Sequence, residues 1–190
     1  MRVSKEKAAQ NRQEILAAAG RLFREQGVNA TGVDSITKAV GMTHGAVYSQ
    51  FGSKEAIAVE AIELALTRSL HLWRRIAERK GRKRAFRAIV TQYLSEAHRD
   101  SAGQGCVVAT LASEIARQPD RVRDAFTAEL EEALDFLAGL IPRTASSRSG
   151  YEDAIAAFAS MVGAMVLARA VNDKRLSNRI LTATAKRIFE

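Results

Sequence analysis

Apolar residues along this chain recur at three- and four-residue steps, the period of an amphipathic helix. Residues 4–26 predict one helix, with Ile15, Leu16, Ala19, Leu22 and Phe23 on its buried face and Gly27 ending it. Val33, Ile36 and Val40 then mark a short helix that Gly41 closes. Thr31, followed by Asp34, has the form of its N-cap. Thr43 caps a second short helix whose stripe is Val47 and Phe51; Gly52 ends it and Ser53 caps the next. Two helices of about two turns joined by a glycine-containing turn have the form of a helix-turn-helix.

From residue 53 to about 78, Ile57, Ile62, Leu66, Leu70, Trp73 and Ile76 predict one long helix. At 1.5 Å per residue it spans roughly 35–40 Å. Further helices are expected over residues 83–98, 105–118 and 119–140, with a loop at 100–105 and Pro119 in the first turn of the last of these. A polar loop over 142–150 leads to two final helices, about 150–171 and 174–189, the first with a Ser149–Glu152 capping pattern. The prediction is an all-α fold of about nine helices. An N-terminal three-helix helix-turn-helix domain over residues 1–52 precedes a larger helical domain over 53–190.

Composition supports this. The 190 residues are 47% hydrophobic and include only two prolines, which suits a packed helical protein. A single cysteine, Cys106, excludes an intramolecular disulfide and fits a reducing cytoplasm. The first residues lack the apolar core of a leader. The weakly polar run over 154–168 falls short of the ~20 residues of a membrane span, so no membrane contact is expected. No metal-ligand spacing, phosphate loop or nucleophile motif occurs, so neither a cofactor nor an enzyme activity is expected.

Net charge changes the picture. At +8, with a pI near 10.1, the chain suits a polyanionic partner. The basic start (Arg2, Lys5, Lys7, Arg12) reads either as a solvated helix end or as phosphate contacts. The dense run from Arg74 to Arg87 reads best as a solvated turn, because the long helix carries it away from the short ones. The helix over 44–50 leaves His44, Gly45, Ala46, Tyr48, Ser49 and Gln50 outward. Small residues permit close backbone approach, and His44 and Gln50 offer hydrogen-bonding atoms to base edges.

The block TxxxIxxxxG, then Gly45 before Val47-Tyr48, then Phe51, then Ser53-Lys54-Glu55-Ala56, resembles the DNA-binding domain of the TetR family of transcriptional regulators. The resemblance covers roughly residues 10–60. It implies that His44, Gly45, Ala46, Ser49 and Gln50 face the groove of double-stranded DNA, and that Thr43, Tyr48 and Lys54 meet phosphates. It also implies a homodimer through the last two helices, about 150–189. The Ala/Gly-rich texture of residues 150–171, apolar nearly all round, independently favours such a pairing. A small apolar or electrophilic effector is implied for the second domain. Its candidate lining is Trp73, Phe86, Tyr93, Cys106, Phe126, Phe158, Met161 and Met165. Cys106, placed in the first turn of a helix, is a candidate sensor thiol or an unreactive buried one. The function expected is a repressor released from a palindromic operator by its effector. The alternative is a non-specific basic nucleic-acid-binding or architectural protein.

Overall fold

The computed structural model describes residues 5–141 and 150–190. They form ten α-helices and one 3-10 turn, with no strand among them. The helices are α1 (Lys5–Gln26), α2 (Val33–Val40), α3 (His44–Phe51), α4 (Lys54–Lys80) and α5 (Arg82–Tyr93). They continue as α6 (Glu96–Asp100), α7 (Val107–Ile115), α8 (Asp120–Ala138), α9 (Gly150–Ala170) and α10 (Lys174–Phe189). The 3-10 turn, Ala102–Gln104, lies in the stretch expected to be a loop.

The first three helices pack on one another through the residues their spacing selects. Ile15, Ile36, Val47 and Phe23 are fully buried there. Gly41 takes φ +66° and Gly52 φ +74°, conformations that cost a side-chain-bearing residue energy. Thr43 and Ser53 each accept the backbone N–H three residues on, as helix caps do. The long α4 leaves this head and packs on α5 and α8, while α9 packs on α8 and α10. One apolar cluster runs without a break from Ile15 to Leu181.

Four local expectations are corrected. Thr31 does not cap α2: the cap position is Gly32, with no side-chain bond. Thr31 is buried, and its hydroxyl donates to the carbonyl of Gly27 at 2.7 Å. Gly27 ends α1 at φ +90°, and the tight turn that follows holds Thr31 inward. The helix expected over 83–98 is two helices, because Leu94 leaves helical geometry at ψ +36° and the Ser95 hydroxyl caps α6 by accepting the His98 N–H. Among the described residues there are therefore ten α-helices, against the about nine expected. Cys106 occupies the residue before α7 rather than its first turn, and Pro119 likewise precedes α8. The Ser149 cap and Arg2 lie outside the described residues.

Helix α9 has 21 residues and is apolar enough, by length and composition, to cross a membrane. Its Phe158, Met161 and Met165 are buried inside the bundle, while Ile155, Val166 and Leu167 on α9 and Leu176 on α10 remain exposed.

Candidate nucleic-acid interface and effector cavity

Helix α3 is held by its inner residues and by one arginine. Val47 is fully buried and Phe51 nearly so. Arg12 of α1 stacks its guanidinium over the Phe51 ring at 4.1 Å. It also donates to the Gln50 carbonyl at 2.6 Å and pairs with Glu60 of α4. Arg12, read from the sequence as a solvated helix end or a phosphate contact, is thus engaged within the head, where its three contacts lock α1, α3 and α4 together.

The outer face of α3 carries Thr43, His44, Gly45, Tyr48 and Ser49 exposed, with Ala46, Gln50 and Lys54 half-buried. A Cβ built on Gly45 would meet nothing within 4 Å. No intramolecular packing therefore calls for glycine there, and the space it leaves opens outward. His44 stacks on Tyr48 with centroids 4.6 Å apart, and its Nδ1 lies 2.8 Å from Asp34 Oδ1. With Nδ1–H donating to that carboxylate, Nε2 points away as a free acceptor. Sequence reasoning placed Asp34 in a cap and missed this pairing. The Ser49 hydroxyl donates to the Ala46 carbonyl at 3.0 Å. Lys54 Nζ donates to the Asn29 carbonyl at 3.2 Å, which leaves it further donors.

Asn29 is a junction that the sequence did not reveal. Glu114, at the end of α7, accepts the Val28 N–H at 2.9 Å and the Asn29 N–H at 2.5 Å. Gln118 donates to the Asn29 side-chain oxygen at 3.1 Å. Gly27 is required beside it, since a Cβ there would fall 2.7 Å from Glu114 Oε2. Arg24 adds a second tie, donating from Nε to the Gly103 carbonyl at 2.8 Å. The first tie joins the head to the end of α7, and the second joins it to the turn before Cys106.

That segment walls a cavity of about 80 Å³ enclosed by α4, α5, α7, α8 and α9. Of the candidate effector residues, Trp73, Tyr93, Cys106 and Phe158 line it together. Phe158 meets Trp73 and Tyr93 edge-on, at 5.8 and 6.1 Å. The other four do not line it. Met161 and Met165 are fully buried core residues. Phe126 packs half-buried against the core, and Phe86 lines a separate groove beside α10. Their apolar spacing was read correctly, but spacing does not distinguish a packed neighbour from a void.

The polar end of the cavity is highly constrained. His98 donates from Nδ1 to the Tyr93 carbonyl at 2.7 Å and accepts the Cys106 N–H on Nε2 at 3.0 Å. Both ring nitrogens are occupied, and the ring is neutral with its proton on Nδ1. Burial pushes its pKa below the ordinary 6.5, and Arg169 pushes the same way against the bond to Tyr93. Arg169 donates to the His98 and Arg99 carbonyls at 2.8 and 3.0 Å, while its Nη1 is buried without a partner. The Tyr93 hydroxyl is also buried without a partner. Burial, and then the neighbouring Cys106, raise its pKa well above 10.0. Among the described residues, no three His, Cys, Asp or Glu side chains are grouped to hold a metal.

Known proteins match both halves of this arrangement. The family profile "Bacterial regulatory proteins, tetR family" matches residues 15–61, and "Tetracyclin repressor-like, C-terminal domain" matches residues 83–184. The HTH-type transcriptional regulator AcrR of Shigella flexneri is 44% identical over 64 residues, 34% of this chain and 30% of that protein. This chain thus matches AcrR over less than a third of that protein's length. The uncharacterized HTH-type transcriptional regulator Rv0196 of Mycobacterium tuberculosis is 26% identical over 85% of this chain and 86% of its own. A TetR-family transcriptional regulator from Agrobacterium tumefaciens shares the fold with a TM-score of 0.81 at 22% identity, over 95% of this chain and 98% of that one. Escherichia coli NemR in its reduced form shares it at 0.75 and 20% identity, over 94% and 95%. The chain belongs to the TetR family of bacterial regulatory proteins.

Proposed function

We propose that this chain is a cytoplasmic, homodimeric repressor that reads a palindromic operator and is released by a small molecule. In this reading residues 1–52 bind DNA, and residues 53–190 bind the effector and pair the subunits. The observation that carries it is the outward face of α3, small and polar around Gly45, held by Arg12 and Phe51 on a rigid scaffold. Such a face suits a helix laid in the major groove, with His44 and Gln50 toward base edges and Thr43, Tyr48 and Lys54 toward phosphates. Exposed Ile155, Val166, Leu167 and Leu176 support pairing through α9 and α10. The effector cavity and the Glu114 junction lie at opposite ends of α7, so a ligand that shifts α7 also reorients the head.

Selection of bound duplexes from a random pool tests this, followed by competition against random DNA at rising salt. An inverted repeat is expected, with half-sites about one duplex turn or more apart. Equal affinity for random duplex, governed by salt alone, would replace the repressor with a non-specific architectural protein. A second effector class is favoured by one observation: the Cys106 thiol lines the cavity beside Tyr93. An electrophile reaching it would release DNA. Operator affinity unchanged after maleimide labelling of Cys106 excludes that route.

A further inference from the structure

A second cleft, of about 430 Å³, adjoins the effector cavity and shares four wall residues with it: Ser69, Leu72, Gln104 and Gly105. It runs between α1 and α4, and it is lined by four arginines, Arg21, Arg24, Arg68 and Arg75. Arg21 is paired with Glu25 at 2.8 Å. The other three have no carboxylate partner among the described residues. Arg24 makes one bond, to the Gly103 carbonyl. Arg68 and Arg75 stand seven residues apart on the same face of α4 and make no hydrogen bond or ion pair among the described residues. Burial lowers the pKa of Arg24; Cys106 and Glu25 act against that shift, and the charge of Arg68 acts with it. Arg24, Arg68 and Arg75 thus line one partly enclosed space, and none of the three forms an ion pair among the described residues.

We infer that the effector is an amphiphilic organic anion, with its apolar body in the cavity against Trp73 and Phe158 and its carboxylate or phosphate in the arginine cleft. The inference rests on the cavity being the effector site. Guanidinium groups grip both anions through paired, charge-assisted hydrogen bonds. The cavity offers such a body apolar walls and one unpartnered donor, the buried Tyr93 hydroxyl. The cleft also gives the ligand leverage on the head. Arg24 belongs to α1, whereas Arg68 and Arg75 belong to α4. An anion bridging them draws Arg24 from the Gly103 carbonyl and shifts α1 on α4. Binding and head orientation then share one side chain, which is what a differential affinity between two states requires.

Trp73, the only tryptophan, lines the cavity and reports occupancy by its fluorescence without any DNA. The full chain is titrated with hexanoate, hexyl phosphate, 1-hexanol and inorganic phosphate. At least one of the two amphiphilic anions is expected to bind about tenfold more tightly than hexanol, the ratio that one good charge-assisted bond supplies. The better of the two identifies the head group. The double variant Arg68→Ala, Arg75→Ala is expected to erase that advantage and to leave hexanol binding as it was. Both arginines are exposed, so the fold should survive, which circular dichroism verifies; Arg68→Lys, Arg75→Lys should restore part of the advantage. Several results overturn the inference: hexanol binding as well as both anions, no binding by any probe, or an anion advantage that survives loss of the arginines. Inorganic phosphate binding as tightly as hexyl phosphate would mean an anion site without a body. Weaker DNA binding by the alanine variant with no ligand present would assign the arginines to the duplex. Failure to select an operator would overturn the repressor reading and leave the Trp73 titration intact.

Discussion

His44 and His98 each set Nδ1 against an oxygen, at 2.8 and 2.7 Å, and the likeness ends there. His44 is exposed beside Asp34 and stacked on Tyr48, with Nε2 unused. His98 is buried, and its Nε2 is taken by the Cys106 amide. The outer face of α3 keeps hydrogen-bonding capacity free on a densely packed base. The cavity does the reverse: the hydrogen bonds of His98 at its rim are satisfied, and what it leaves free is space and the Tyr93 hydroxyl. A groove binder needs unsatisfied edges in fixed positions, and a small-molecule site needs volume with a few fixed polar groups.

Packing offers the strongest way to break this contrast. Phe23 is fully buried beneath the head, and Phe23→Ala is expected to cost about 3–5 kcal/mol, as such truncations do. Leu130 at the cavity wall is half-buried and already faces a void, so Leu130→Ala should cost distinctly less. Urea denaturation measures both. Equal losses would mean that the head is no better packed than the cavity wall.

The junction comes next. Glu114→Ala leaves the Val28 and Asn29 amides without their acceptor, a loss of about 1–3 kcal/mol. Glu114→Gln keeps one acceptor oxygen and should recover part of it. Hydrogen exchange at residues 27–32 should rise in both variants, more in the alanine form. Unchanged exchange would show that Glu114 does not hold this turn.

A pH effect is expected from His98. The folded pKa of His98 lies below its ordinary value of 6.5, so the unfolded chain takes up this proton first. Its contribution is complete above about pH 6.5 and is lost as pH falls through that value toward the lower folded one. Denaturation midpoints should therefore decline across this window, and His98→Gln should flatten the decline. A decline that persists in His98→Gln belongs to another group.

What the sequence revealed follows the same division. Residues 43–54 were legible because their caps, glycines and apolar stripe act within a few positions of one another. Arg12 looked like a solvated charge or a phosphate contact because its partners, Gln50 and Glu60, lie 38 and 48 residues away. The Glu114–Asn29 bond joins residues 85 apart and left no local trace. Thr31 carried a capping pattern, but a buried turn claimed its hydroxyl. Phe158, Met161 and Met165 share one helical stripe, and only the packing of α4 and α5 against it decides that Phe158 alone meets the void. Local chemistry is written in neighbouring residues, whereas a cavity belongs to helices far apart in the chain.

The smallest effect expected on stability is at Asp34. Its side chain is almost fully solvated, and an exposed pair contributes little to folding. Asp34→Ala should leave the denaturation midpoint where it was. Its consequence lies in reading. In the tautomer whose Nδ1–H faces Asp34, His44 presents an Nε2 acceptor, which matches the amino group of cytosine or adenine in the major groove. Without Asp34 the proton is free to sit on Nε2, which then donates and matches guanine or thymine oxygens. Sites selected by Asp34→Ala should therefore lose their preference at one base pair in each half-site and keep it elsewhere. Asp34→Asn, which still offers an oxygen to Nδ1–H, should retain most of it. A selected sequence identical in all three proteins would mean that Asp34 does not set what His44 reads.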